Sequence, residues 1–407
     1  MPSLKPAEGG KKPLVGISKL YCDSIEPSDV LRYGRRSSAL PSHLLQFSED
    51  KRPVVIMNIT KRCNLKCVHC YAGAFDAQSP GEMKTHEILR VIDELAEFGA
   101  PVVLFSGGEP LMHPDIVKLA GHAVQSGIRT VISTNGTLIT SEKAHELATV
   151  GLSYIGVSLD GSREVHDAFR GVHGSFDRAL EGLRNAREAG IKTGLRFTIT
   201  KRNVTEIPCV FDLLEEENIP RICFYHLVYT GRGKGLLDEA LSPDSTRAVV
   251  DSIIDRTAAL YKRGRIIEVL TVDNHCDGPY LYLRLKHENP SRAEQVLELL
   301  RFNGGNSSGV GVASIGWEGS VHPDQFWRHH VLGNVREKLF GDIWTDTDNV
   351  FLMKLKDKKS HVTGRCARCR FLEMCGGNFR ARAEAVTGDI WAPDPACYLT
   401  DSEIGIE

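Results

Sequence analysis

A chain of 407 residues is too long for one small domain and long enough for a large α/β core with an appendage. Its 42% apolar and 25% charged residues exclude a disordered or collagen-like protein, and a formal net charge of -2 leaves no global field to steer it to nucleic acid or an anionic membrane. No apolar run reaches the length of a transmembrane helix, and Met1 to Lys12 is polar with no apolar signal-peptide stretch, so a cytoplasmic protein is expected.

Residues 1–52 read as an N-terminal extension. From Pro53, short apolar runs alternate with amphipathic helical patterns, the rhythm of a parallel sheet. Strands are expected at Val54 to Ile59, Val102 to Ser106, Thr130 to Thr134, Tyr154 to Leu159, Thr193 to Thr200 and Arg221 to Leu227. Between them, Ile88, Val91, Ile92, Leu95 and Phe98 mark one helical face, with Thr85 as its expected N-cap. Six strand-helix units fall short of a closed barrel, which predicts a partial (β/α)6 barrel open on one side, over residues 53–300. After Ser242 come a long helical stretch, an irregular region from Asp273 to Tyr282 and a Gly-rich segment. Residues 301–407 are expected to form a small C-terminal domain, starting with a hairpin of Val310 to Ile315 and Ser320 to His322 that turns at Glu318-Gly319.

Eleven cysteines in short-spaced groups, without a secretory signal, point to metal ligation rather than disulfides. Cys63, Cys67 and Cys70, directly after the first strand, have C-x3-C-x2-C spacing. Three thiolates can hold three irons of a [4Fe-4S] cube and leave the fourth open to a small chelating molecule. Zinc on the same three cysteines and His69 is the alternative; the absence of a second CxxC half nearby weighs against it. Near the end, Cys366, Cys369, Cys375 and Cys397 form C-x2-C-x5-C with a distant fourth member. Four thiolates complete a [4Fe-4S] cluster suited to electron transfer, and a structural zinc is again the competitor. Cys22, Cys209 and Cys223 have no partner spacing, while Cys276, in Asn274 to Gly278, is a candidate for lining the active site or for ordinary packing.

The first cysteine motif, followed by Gly107-Gly108-Glu109-Pro110 after the second strand, resembles the radical S-adenosylmethionine (SAM) superfamily. That resemblance implies that SAM occupies the open iron and is cleaved reductively to a 5′-deoxyadenosyl radical. It implies that the two glycines let the backbone approach the SAM amino group, with Glu109 neutralising positive charge. Ser133 and Asn135 after the third strand, Ser158 and Asp160 after the fourth, and Arg170 resemble further SAM contacts, and His69 stands where the family has an aromatic near the cofactor. The second cysteine set resembles the SPASM/Twitch auxiliary-cluster domain, which implies two [4Fe-4S] clusters in all.

Four further stretches, Gly16 to Asp29, Asn303 to Gly309, Val321 to Trp327 and Cys375 to Cys397, look like the 12,18-didecarboxysirohaem deacetylases and their relatives of the haem d1 branch. The resemblance implies an iron tetrapyrrole substrate that loses two acetate side chains to give iron-coproporphyrin III; the haem d1 branch removes propionates from the same substrate. It also implies a low-potential electron donor such as ferredoxin or flavodoxin, and a monomer is the default. Arg328, Arg380 and Arg382 are candidates to bind substrate carboxylates, and His322, before His275 and His329, to ligate the substrate iron. Peptide or sulfatase maturation is a second enzyme reading, against which stand the ~50 residues before the first strand, too few for an added recognition domain. A zinc-binding structural protein is the non-enzyme reading.

Overall fold

The computed structural model describes residues 14–24, 52–77 and 79–406, so residues 25–29 of the N-terminal likeness and most of the extension lie outside the described residues. Among the described residues eleven strands form one sheet: β1 (Leu14–Gly16), β2 (Val54–Asn58), β3 (Val102–Ser106), β4 (Arg129–Thr134), β5 (Tyr154–Ser158), β6 (Thr193–Ile199), β7 (Arg221–His226), β8 (Glu268–Val272), β9 (Val312–Ile315), β10 (Ser320–His322) and β11 (Gly333–Asn334). Their spatial order is β1-β8-β7-β6-β5-β4-β3-β2-β9-β10-β11.

The six expected strands are present, as β2 to β7, and are parallel to one another. The parallel run extends further at both ends, because β8 pairs with β7 and β9 with β2. The sequence reading missed β8 inside the supposed helical stretch, although Val269, Leu270, Thr271 and Val272 are a short β-prone run. It missed β1 as well, a three-residue strand antiparallel to β8. The irregular region from Asp273 is also shorter than expected, since a helix starts at Asp277 (Asp277–Glu288). The hairpin of β9 and β10 turns at Gly319, whose φ of +87° suits glycine. Because β9 also extends the barrel sheet, the C-terminal segment is tied to the barrel by main-chain hydrogen bonds.

Alternate residues of each parallel strand face opposite ways. Val55, Met57, Val103 and Phe105 join Ile88, Val91, Ile92 and Leu95 of helix Thr85–Phe98 in the main apolar core. Ile56, Leu104, Ser106, Ser133, Ser158, Arg196 and Tyr225 face a cavity instead. Thr85 is the first residue of its helix rather than the cap. Lys84 occupies the N-cap, its backbone N–H donating to the Glu87 carboxylate at 2.7 Å, and the Thr85 hydroxyl is drawn to Asp115 at 2.5 Å. Among the described residues no helix is long and apolar enough to cross a membrane.

Candidate active site and auxiliary thiolate site

The cysteine loop leaves β2 at its carboxyl end, where parallel α/β sheets place function. Cys63, Cys67 and Cys70 all line the cavity inside the sheet, which encloses about 1080 Å³ including its mouth. Burial pushes the Cys63 thiol up to about 12 and raises that of Cys67, so a cation must displace the protons before these sulfurs act as thiolates. Three sulfurs facing one cavity, with no fourth thiol there among the described residues, fit a cluster that leaves one iron to another ligand. The zinc alternative needs His69 as fourth ligand. His69 lines the same cavity, stacked on Phe169 with ring centroids 4.4 Å apart, and burial keeps it neutral.

The loop is held by the Gly-Gly-Glu-Pro segment. Gly108 N–H donates to Thr60 O and Glu109 N–H to Arg62 O, each at 2.7 Å. A Cβ on Gly107 would lie 2.4 Å from Thr60 O, and one on Gly108 2.1 Å from Arg62 O. The close approach that these glycines permit is therefore to the backbone leading into Cys63, in addition to the cavity they line. Glu109 is fully buried behind the cavity wall, accepting hydrogen bonds from Thr134 Oγ1 (2.6 Å), Asn135 N (2.8 Å) and Leu111 N (3.0 Å). Burial raises it to about 6 despite those donors. It braces the loop after β4 and does not itself reach the cavity.

Of the other expected SAM contacts, Ser133, Asn135, Ser158 and Arg170 line the cavity with Gly107 and Gly108. Asp160 does not. It is fully buried, ion-paired with Arg170, and accepts a hydrogen bond from Thr198 N at 2.7 Å. Arg170 also reaches Cys67 Sγ at 3.5 Å. Asp160 thus fixes the guanidinium beside the cysteine loop, where it can meet a carboxylate.

The far wall carries residues that sequence reasoning missed. Arg196 on β6 lies with its guanidinium 4.4 Å over the Tyr225 ring, and Gly156 on β5 leaves room for its stem. Asp273, at the end of β8, and His226, at the end of β7, complete that wall. His226 is held by Asp277 at 2.9 Å. The signal available was a polar residue at every second place of β6, Arg196 and Thr198, which only the barrel turns inward.

The expected substrate residues fare differently. Arg382 is fully buried and bidentate to Asp394, and Arg380 donates to the carbonyls of Gly377, Ile390 and Ala392, so neither is free to meet a substrate carboxylate. Both are consumed in fixing the C-terminal chain. Arg328 stacks 3.5 Å over Trp317 and pairs with Glu318 at 3.2 Å. His322 donates Nδ1–H to His330 O at 3.0 Å, and its Nε2 is buried without a partner, 3.4 Å from where a Cβ on Gly316 would stand. Neither His322 nor His275 lies among the cavity-lining residues, and His329 pairs with Glu384 outside them.

At the C-terminal end, Cys366, Cys369, Cys375 and Cys397 surround a second, apolar hollow of about 390 Å³ with Phe371, Leu372 and Leu399. Four thiols around one small space fit a fully ligated cluster. Cys276 lines this hollow with Cys397 and not the first cavity, its thiol donating to Asn274 Oδ1 at 3.0 Å. Gly305 lies against the Cys375 backbone, where a Cβ would come within 2.1 Å of the carbonyl oxygen, and Asn306 N–H donates to that oxygen at 3.1 Å.

Residues 57–214 match the model of the radical SAM superfamily, and residues 308–370 that of the SPASM iron-sulfur cluster-binding domain. The chain is 60% identical to Fe-coproporphyrin III synthase of Methanosarcina barkeri over 96% of its own length and 99% of that protein's. It is 41% identical to pre-heme d1 synthase of Dinoroseobacter shibae, covering 87% and 88% of the two chains. Among solved structures, anSMEcpe with bound AdoMet aligns at a TM-score of 0.66 with 19% identity, over 85% of this chain and 93% of that one. Streptococcus suis SuiB bound to S-adenosylmethionine aligns at 0.67 with 19% identity, over 94% and 89%. These two likenesses concern the fold.

Proposed function

The chain belongs to the radical SAM superfamily, in the group that contains Fe-coproporphyrin III synthase, and from that premise we propose that it removes two acetate side chains from 12,18-didecarboxysirohaem to give iron-coproporphyrin III. The whole-length identity of 60% to Fe-coproporphyrin III synthase carries the reading, against 41% to the pre-heme d1 enzyme.

A [4Fe-4S] cluster on Cys63, Cys67 and Cys70, with SAM, supplies a 5′-deoxyadenosyl radical when bound; a second cluster belongs to Cys366, Cys369, Cys375 and Cys397. The residues around them have separable tasks. Arg170, oriented by Asp160, receives the SAM carboxylate. Ser133, Asn135 and Ser158 offer hydrogen bonds to its polar groups, and Glu109 keeps their loop in place. Arg196, over Tyr225 and without a carboxylate partner among the described residues, faces the substrate side of the cavity and receives one of its carboxylates. The open mouth admits a flat ligand too large to be enclosed. A low-potential donor of the ferredoxin or flavodoxin kind reduces the enzyme, which works as a cytoplasmic monomer.

The test is an anaerobic reaction of reconstituted protein with SAM, a strong reductant and 12,18-didecarboxysirohaem, following 5′-deoxyadenosine and tetrapyrrole masses together. Iron-coproporphyrin III is the expected product. Loss of propionates would transfer the chain to the haem d1 reaction, and deoxyadenosine without any change of the tetrapyrrole would refute the substrate.

A further inference from the structure

Asp273 is the first residue beyond β8, at the carboxyl end of a parallel strand, in the wall of the first cavity. Its backbone is left-handed, φ +66°, one of four non-glycine residues so disposed among the described residues. Its Oδ2 is buried with no hydrogen-bond partner. Aspartate tolerates that backbone, so the notable feature is the unpartnered oxygen in the cavity wall. A buried ionisable group in a cavity wall, left without a hydrogen-bond partner by its neighbours, is placed for chemistry.

The proposed reaction requires a proton. Its product is a porphyrin, so each reduced ring must gain a double bond by losing acetate from one carbon and hydrogen from its neighbour. Removal of that hydrogen atom leaves an unpaired electron on the ring. Homolysis of the bond between the adjacent carbon and the acetate methylene then completes the double bond and frees a carboxymethyl radical. One electron and one proton convert this fragment to acetate. Resting on the deacetylase reading, we propose that Asp273 is the catalytic acid that delivers the proton, with the electron coming from a low-potential one-electron donor of the ferredoxin or flavodoxin class.

The surroundings suit the task. Burial raises the carboxyl to about 7, so it holds its proton where most carboxyls have lost theirs. The charges that act on it are Arg382, itself neutralised by Asp394, together with Asp324 and Arg196; the Tyr225 phenol stands nearby. After transfer, the new carboxylate is stabilised by Arg196, and the cavity mouth lets solvent return the proton.

Asp273→Asn tests the role, because asparagine has the same shape and tolerates a left-handed backbone. Holoenzyme with SAM, reductant and substrate is assayed for 5′-deoxyadenosine, acetate and iron-coproporphyrin III. In the variant, product per deoxyadenosine is expected to fall roughly a hundredfold. In the wild type that ratio should decline as pH rises past about 7, and in the variant it should be low at every pH. A variant that keeps the wild-type ratio and pH profile overturns the proposal, as does one that loses deoxyadenosine formation in equal measure, which would make Asp273 a structural residue. Wild-type enzyme that makes deoxyadenosine but no iron-coproporphyrin III would instead overturn the deacetylase reading, an outcome read before any variant is compared.

Discussion

Arg382 and Asp394 meet face to face with both side chains fully excluded from solvent, Nε to Oδ1 at 2.9 Å and Nη2 to Oδ2 at 2.8 Å. Asp394 also accepts from the backbone N–H of Phe379 and of Ala396, so the pair ties the chain after Cys375 to the chain before Cys397. Arg382→Met leaves a buried carboxylate without its counter-charge, at a cost of about 3–5 kcal/mol. The expected result is a lower melting temperature and loss of the iron of the second cluster, while SAM cleavage at the first persists. Iron and sulfide per chain measure this. Adding Asp394→Asn should recover part of the stability, and full iron in the single variant would contradict the assignment.

Gly108 decides whether the cysteine loop can sit where it does. Its missing Cβ would stand 2.1 Å from Arg62 O, a backbone atom that cannot move without carrying Cys63 with it. Gly108→Ala should therefore fold, because the barrel core lies elsewhere, yet hold little of the first cluster and form no deoxyadenosine. The second cluster should remain, leaving about half the wild-type iron. Gly235→Ala, at an exposed position where an added Cβ meets nothing within 4 Å and φ is not positive, should leave both clusters intact and serves as the control.

Glu109 gives a signed pH dependence. Its folded carboxyl is raised from 4.5 to about 6, chiefly by burial. A group raised on folding stabilises the protein below its unfolded value and loses that contribution as pH climbs through the folded one, here between 4.5 and about 6. The magnitude is about 2 kcal/mol. Denaturant unfolding of wild type and Glu109→Gln should show the wild type gaining this much relative to the variant between pH 7 and pH 4.5. A difference independent of pH would mean that the three hydrogen bonds to the carboxylate cancel the effect of its burial, and a gain in the opposite direction that they outweigh it.

Local patterns carried the cysteine motifs, the Gly-Gly-Glu-Pro segment and the six inner strands into view, because each is fixed by spacing within a few residues. What escaped depends on who meets whom in space. Arg380 and Arg382 looked like free cations beside a cysteine set, and only the fold shows Asp394, twelve residues on, closing against Arg382. Cys276 has no partner spacing, yet it lies against Cys397, 121 residues away. His322 stood in a family-like run, but β10 turns its ring toward Gly316 rather than into the cavity. Asp273 looked like part of an irregular segment until β8 gave it a strand end to stand on.

Arg196 shows the converse, a residue unmarked by any motif that the barrel turns into a candidate ligand-binding cation. Nearly all buried guanidinium groups are paired, and here the pairing is with an aromatic face, Tyr225 at 4.4 Å, which leaves the donors open to an incoming carboxylate. A charge-assisted hydrogen bond of this kind is worth about 1.5–3 kcal/mol, or roughly ten- to a hundredfold in affinity. Arg196→Gln should weaken tetrapyrrole binding by that factor, read from the Soret band on titration, while deoxyadenosine formation from SAM alone stays unchanged. Arg196→Lys keeps the charge but not the planar fork and should fall between the two. If binding is unaltered in both, the positive charge that holds the substrate lies elsewhere, and Arg328, pinned between Trp317 and Glu318, becomes the next group to vary.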